Sequence, residues 1–529
     1  MATNASTAEY QRETSPLLPS YPSEATLSDG TNNGHECVPL HDELTISRLA
    51  LIKQEASWLL GSSIPLSMSY FCQTSFNFIS MLTAGRLGVN ELAAASLGVM
   101  LANVIVCMPG TGLASALESF CSAAYTASSD KTRVGFHAQR GLAAVTFQLV
   151  PTVILFYFID NILLLLGQTP DVSELCGRFL RIWVIGSWPL LAFECLKRFV
   201  QAQGIMQAST WVTAAVAPLH IFNSYMLVWS PRIGLGFAGA PLAMAISNWM
   251  LFIGISGYIA FSRARHAWGS LSFDCINGMS EYYRLAIPSA AMMALSWAAF
   301  ETITIGAAVF GSVALAAQAC IFSTMALTYQ TPAAIGSAAA ARIGNALGEG
   351  KQRRARYTSY VAISMGYIVG MAISLLLFIY RESWGYIFSD DADVIAMCAE
   401  LMPYFAAIQT YDGMNGLVAG IMRALGRQSM GAAFAFPSFW IIALPIAFYL
   451  GMGPPALKSV GLFIGLACGV ILYSLAQQFF IVFCVDWRHE VKVCLNRLVV
   501  STRPKQMTTC ISTAHPSSSS SLESYSSVV

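Results

Sequence analysis

The chain has 529 residues, of which 55% are hydrophobic and only 11% are charged, and its formal net charge is +1. Soluble globular proteins carry about 25% charged residues, so this composition excludes a soluble protein. The near-neutral charge gives no indication of a nucleic-acid partner, and we expect none. The surplus of apolar residues predicts a protein that faces lipid.

Apolar runs of about 20 residues, each long enough to cross a bilayer core of about 30 Å, recur along most of the chain. They predict an all-α membrane protein with twelve transmembrane helices. In chain order, the predicted spans are residues 56–82, 92–116, 138–158, 175–195, 208–229, 235–261, 283–308, 313–336, 358–379, 396–421, 431–451 and 459–485.

Basic residues concentrate after the even-numbered spans, as at Lys131, Arg198 and Arg427, whereas the alternate loops hold few. Basic loops stay in the cytoplasm, so the predicted multi-pass protein has both tails there. Residues 1–50 are polar and predict a disordered N-terminal tail, and residues 491–529 predict a C-terminal tail.

The second half of the chain repeats landmarks of the first at an offset of 219 to 223 residues. The pairs are Pro65 and Pro288, Pro109 and Pro332, Asp171 and Asp393, Cys176 and Cys398, Gly204 and Gly426, and Pro218 and Pro437. This order indicates a duplication, with an N-lobe at 51–270 (helices 1–6) and a C-lobe at 271–490 (helices 7–12). Six spans per half make a parallel repeat, which is typical of secondary transporters with a substrate site between the halves.

Four acids in or beside the predicted spans stand out as candidates: Glu118 after the second, Glu194 at the end of the fourth, Glu301 in the seventh and Asp412 in the tenth. An ionised carboxylate inside a bilayer costs about 2.5 kcal/mol or more, so each acid needs an explanation. Each either neutralises a nearby base or exchanges a proton. Glu118 and Glu194 lie near cytoplasmic ends, where bases are frequent, and both roles remain open for them.

Glu301 and Asp412 have no basic residue at helical spacing within their own apolar segments, which favours a role in proton coupling. Three hydrogen-bonding residues next to Asp412, namely Gln409, Tyr411 and Asn415, suit an aqueous cavity that binds substrate. These residues are therefore candidates for proton coupling or substrate binding.

Two further features allow more than one interpretation. His220 in the fifth span is either a proton relay or a helix-packing group. The glycines of IGNALGEGK from Ile343 lack the spacing of a phosphate-binding loop, and no strand precedes them, so they predict a basic cytoplasmic turn.

Several segments resemble, in the same order, those of the multidrug and toxic compound extrusion (MATE) transporters, particularly the eukaryotic branch. They are GRLGVNELAAASLG, PGTGLASALESFCSAAY, RFVQAQG, YYRLAIPSAAMMALSWAAFE, TPAAIGSAAAARIGNALGEGK and YDGMNGLVAGIMRALGRQ. The resemblance covers about residues 50 to 490. It implies two six-helix bundles around a central cavity, and proton-driven export of organic, often cationic compounds by alternating access. It also implies functional acids at Asp412 and Glu301.

Two departures from the family pattern concern the acids of the spans. Eukaryotic relatives carry two glutamates in the seventh span, and here Ser296 occupies the first position, so it joins the candidate site residues. Gln73 and Asn77 are the polar groups of the first span, where many bacterial members have an acid. This difference argues against a bacterial-type proton mechanism in the N-lobe.

The alternatives are a Na⁺-coupled antiporter and a flippase for lipid-linked substrates, although a flippase favours a basic cavity and this chain places acids in its spans. We expect no enzyme, because a paired nucleophile and base is not apparent in the spans, and no cofactor or metal. The expected partners are small organic substrates, protons and the bilayer, and the expected state is a monomer. Glu13 precedes Leu17 and Leu18 at the spacing of an acidic dileucine sorting signal, which leaves a vacuolar or lysosome-like membrane and the plasma membrane both open.

Overall fold

The structure, a computed structural model, describes residues 47–502; the dileucine motif and the serine-rich end of the chain lie outside this range. Thirteen principal helices form the described part. They are α1 Arg48–Gly85, α2 Asn90–Ala127, α3 Thr132–Tyr157, α4 Pro170–Ala202, α5 Gln207–Trp229, α6 Gly236–Phe261, α7 Met279–Ala308, α8 Ser312–Gly348, α9 Gln352–Ile379, α10 Ala392–Leu425, α11 Gln428–Met452, α12 Lys458–Cys484 and α13 Trp487–Thr502. Shorter helices at Ile159–Leu165 and Arg381–Trp384 connect some of them.

Eleven of the described helices, α2 to α12, are long and apolar enough to cross a membrane, and α1, with 38 residues, is also long enough. Each of the twelve predicted spans matches one of α1 to α12, and only the third, sixth and twelfth extend beyond their helix, each by one residue, so the all-α, twelve-helix prediction is confirmed. The first part of the predicted C-terminal tail is helical, in α13.

Prolines locally widen two of the membrane helices. In α2, a π-helical turn at Asn103–Cys107 comes just before Pro109, and in α11 a π-helical turn begins at Pro437. Proline lacks an N–H and its ring collides with the preceding turn, so the α-helical hydrogen bonds cannot continue unchanged. The Gln148 side chain of α3 donates to the Val106 carbonyl at 3.1 Å, which supplies a partner for the widened turn.

Small residues let α8 and α10 cross at close range. A Cβ atom added at Gly416 would lie 2.6 Å from the Tyr329 ring, and one added at Gly420 would collide with the backbone of Gly336. Small residues at a helix crossing are typical of membrane proteins, where van der Waals packing drives association. Gly416, at the end of the DGMNG segment, and Gly420, one turn later, therefore position α10 against α8.

The two halves also meet through small residues. A Cβ at Gly112 of α2 would collide with the backbone of Ala290 in α7, and one at Gly344 of α8 would collide with Ser122 of α2. Most of the IGNALGEG segment, which was predicted as a turn, is the last part of α8 and packs on the first half. The turn itself is confined to its last residues.

A buried ion network joins the halves at the end of the molecule where α1 and α9 begin and α8 ends. Glu55 of α1 is fully buried and accepts hydrogen bonds from Arg342 Nε and Nη2, both at 2.8 Å. Arg354 lies 3.4 Å from the same carboxylate, and Thr358 donates to it at 3.0 Å. We call this end, which carries most basic loops, the basic end.

Gly420→Ala is expected to lower the midpoint of thermal unfolding, because the new methyl group collides with a backbone carbonyl that cannot rotate away. The control is Gly257→Ala in α6, where nothing lies within 4 Å of the added Cβ. Removing a helical glycine there gives no loss or a gain of up to about 1 kcal/mol. Tryptophan fluorescence during heating in one detergent measures both, and equal midpoints for the two variants would contradict the close crossing.

Glu55→Gln is expected to destabilise the protein by about 3 kcal/mol, because two partly buried guanidinium groups lose the fully buried carboxylate that they contact. Asp160→Asn is the matched control: it breaks the Asp160–Arg181 pair, whose side chains are 28% and 38% exposed, and costs about 1 kcal/mol or less. The same heating experiment compares them. A Glu55→Gln midpoint as high as that of Asp160→Asn would show that the network does not hold the halves together.

Candidate functional site

A cavity of about 400 Å³ lies between the two halves. The first half contributes residues of α1, α2 and α4 to its wall, and the second half contributes residues of α7, α8, α10, α11 and α12. The cavity is therefore shared by both repeats, at the position that the parallel repeat predicts for a transported substrate.

Four of the predicted site residues line this cavity from the second half: Ser296, Glu301, Asp412 and Asn415. Asp412 and Asn415 share one face of α10 because they are three residues apart. Asp412 is only 4% exposed, and its Oδ2 atom has no hydrogen-bond partner within the described chain. Such a carboxylate is costly to keep charged unless a proton, a cation or water reaches it.

Aromatic rings form a wall next to these acids. The ring of Phe300 lies 5.8 Å from that of Phe322 and 6.0 Å from that of Phe439, which in turn lies 5.4 Å from Tyr473. Trp297 lines the same cavity. Ring faces combined with carboxylates attract organic cations without demanding one shape.

A cluster of five charged residues forms the floor of the cavity, toward the basic end. Arg198 of α4 contacts Glu194 at 2.6 Å and Glu118 at 3.3 Å, and Lys197 also binds Glu194. Arg423 of α10 reaches across from the second half to Glu118 at 2.8 Å. Of the two readings left open for Glu118 and Glu194, these contacts favour charge neutralisation, and the cluster links the halves.

Not every predicted site residue lies at this cavity. Gln409 is buried one turn before Asp412, and the ring of Tyr411 lies edge-on to that of Tyr367 in α9, with centres 6.4 Å apart. Glu118 reaches the cavity only through its arginine partners. Proximity to Asp412 along the chain did not imply a shared cavity.

A second, smaller cavity of about 200 Å³ lies within the first half. Neutral amides line it, including Gln73, Asn77 and Asn248, and Glu194 is its acid. His220 lies outside it; its Nε2 donates to the Phe76 carbonyl at 3.2 Å, and its Nδ1 shares a hydrogen bond of 2.8 Å with the Ser247 hydroxyl. These contacts are those of a helix-packing histidine.

Sequence reasoning missed Glu55 and the basic residues of the cavity floor. Glu55 directly precedes the first predicted span, which starts at residue 56, so it is not among the acids considered within spans, although α1 begins earlier, at Arg48. Lys197 and Arg198 were interpreted as loop bases that set orientation, whereas both are in α4 and line the cavity. Long polar side chains at span ends are the signal that would have drawn attention to them.

Comparison with protein families shows that the MatE model matches the chain twice, at residues 65–226 and 288–449. The two matches begin at Pro65 and Pro288, the first pair of landmarks in the internal repeat. The duplication inferred from the landmarks is therefore confirmed.

Known relatives and solved structures agree with this match. An uncharacterized transporter of Schizosaccharomyces pombe is 32% identical over 85% of this chain and 84% of its own length. Multidrug and toxin extrusion protein 2 of Mus musculus is 30% identical over 81% of this chain and 74% of its own. The crystal structure of the eukaryotic MATE transporter AtDTX14 superposes with a TM-score of 0.78 at 25% identity, covering 84% of this chain and 99% of that one. The chain therefore belongs to the MATE family of membrane transporters, in its eukaryotic branch.

Proposed function

We propose that this transporter exports organic, often cationic compounds and xenobiotics in exchange for protons, by alternating access. The observation that carries the proposal is Asp412, a buried carboxylate without a basic partner among the described residues, which lines a cavity shared by both halves. The mouse relative is named for multidrug and toxin extrusion and an Arabidopsis thaliana relative for detoxification, which supports this class of substrate.

The exchange follows from competition for the same carboxylates. When Asp412 and Glu301 are ionised, they attract a cation that the surrounding rings also bind. When protons bind, this attraction is lost and the cation is released. Because a ligand shifts a conformational equilibrium only by its differential affinity for the two states, protonation must also favour one orientation of the cavity.

The charged contacts at the basic end supply a gate. Both the Glu55–Arg342 pair and the Glu118–Arg423 pair join the two halves there, and Tyr70 and Ser337 add a hydrogen bond of 2.8 Å. In the proposed orientation this end faces the cytoplasm, so the structure corresponds to a state closed on that side. Alternating access requires these contacts to separate.

The proton gradient is sufficient for the proposed work. Two protons moving down a gradient of one pH unit supply about 2.7 kcal/mol, which supports about hundredfold accumulation of an uncharged exchange partner. A membrane potential of 100 mV adds about 2.3 kcal/mol for each net charge moved. An exchange of two protons for one monovalent cation therefore has ample driving force.

Asp412→Asn and Glu301→Gln are each expected to reduce proton-driven transport by at least about tenfold. A tenfold reduction corresponds to the loss of about 1.4 kcal/mol of coupling free energy. The experiment uses proteoliposomes with an imposed pH gradient and measures accumulation of a fluorescent organic cation. Glu382→Gln is the control, because the Glu382 side chain is 79% exposed in a short connecting helix and lies outside the cavity. It is expected to keep the wild-type rate.

The same liposomes separate the alternatives. Accumulation driven by a Na⁺ gradient but not by a pH gradient would show that the coupling ion is Na⁺ and not the proton. If neither gradient moves a cation through folded wild-type protein, the export proposal fails, and a labelled anionic lipid should then be tested for flipping. Wild-type rates in both Asp412→Asn and Glu301→Gln would remove these acids from the coupling mechanism.

A further inference from the structure

A third cavity, polar and of about 770 Å³, opens at the basic end, away from the central cavity. It lies where α1 begins, where α9 begins and where α12 passes into α13. Four arginines line it, with one acid, Asp486. The arginines are Arg48, Arg353, Arg356 and Arg488. We call this cavity the arginine groove.

Aromatic neighbours hold two of these arginines in place. The Arg356 guanidinium stacks 5.4 Å from the centre of the Tyr360 ring, and its Nε donates to the Tyr360 hydroxyl at 3.1 Å. Arg353 lies 5.9 Å from the Tyr357 ring centre. A guanidinium that is already oriented loses less entropy on binding, and its planar set of N–H donors matches the oxygens of a phosphate group.

The position of the groove indicates a ligand that comes from the membrane. Val482 and Phe483, in the last turn of α12, line the groove and are 37% and 74% exposed. Acyl chains can therefore pack on the exposed end of α12 while a phosphate reaches the arginines.

We propose that the arginine groove binds the phosphate-bearing headgroup of an acidic phospholipid in the leaflet at the basic end. The cytoplasmic leaflet, which this end faces in the proposed orientation, is the one rich in anionic lipid. Arg48 belongs to the first half of the chain, whereas the other three arginines belong to the second. A bound headgroup therefore bridges the halves and favours the arrangement in which they are closed at this end.

The test is native mass spectrometry of the full-length protein in detergent, titrated with phosphatidic acid or with phosphatidylcholine. Wild-type protein is expected to bind phosphatidic acid in preference to phosphatidylcholine, and the double variant Arg356→Gln/Arg488→Gln to bind it about 30-fold more weakly. The matched control, Arg263→Gln/Arg265→Gln, removes two exposed charges from the loop before α7, which also lies at the basic end. It is expected to keep wild-type affinity.

Soluble competitors identify the source of the phosphate. If inorganic phosphate or inositol hexakisphosphate displaces phosphatidic acid only when it is present in large excess, the result supports a lipid ligand. If inositol hexakisphosphate binds as tightly as the lipid, and this binding is lost in Arg356→Gln/Arg488→Gln, the groove is a phosphate site for a soluble ligand. That result would overturn the assignment to a phospholipid.

Equal losses in the two double variants, or no preference for phosphatidic acid over phosphatidylcholine, would overturn the proposal. Thermal melts first establish that each variant is folded. The readout is lipid binding and involves no transport, so its result is independent of whether proton-driven export is found.

Discussion

The hydrocarbon core of a membrane offers no hydrogen-bond partner and no counter-charge, and this constraint explains most of the structure. The backbone of the described chain is organised in long helices, which satisfy their own N–H and C=O groups. Most charged side chains between the helices are paired, as Glu55 is with Arg342 and Glu118 with Arg423. Against this background Asp412 is exceptional, because its carboxylate is buried without a basic partner in the described region. A buried carboxylate that is costly to ionise is typical of functional sites in membrane proteins.

Close helix crossings place that carboxylate. Gly416 and Gly420 allow α10 to lie against α8, so that Tyr329 and Asp412 line one cavity. Bulkier residues would separate the two helices and change the cavity wall. Gly416, Gly420 and Asp412 are thus parts of one arrangement: the glycines set the distance between the helices, and the acid lies in the cavity wall that results.

The two halves share a fold but differ in chemistry. The cavity within the first half takes most of its polar lining from neutral amides, and its acid, Glu194, is already bound to Lys197 and Arg198. The second half carries Glu301 and Asp412, which have no such partners among the described residues. A duplicated scaffold therefore provides two bundles that can move against each other, while the unpaired acids are confined to one of them. This asymmetry is the reason that the proposed proton coupling is assigned to the second half.

The sequence by itself determined the twelve spans, the duplication and the choice of Asp412 and Glu301 as acids without nearby bases. These features follow from composition, spacing and the cost of burying charge, which are local properties of the chain. Only the tertiary structure decided which side chains meet. It separated Gln409 and Tyr411 from the cavity, bound Glu118 to Arg423 some 300 residues away, and gathered Arg48, Arg356 and Arg488 in one groove. The direction of each side chain depends on how helices from the two halves cross, and no spacing within a single helix contains that information.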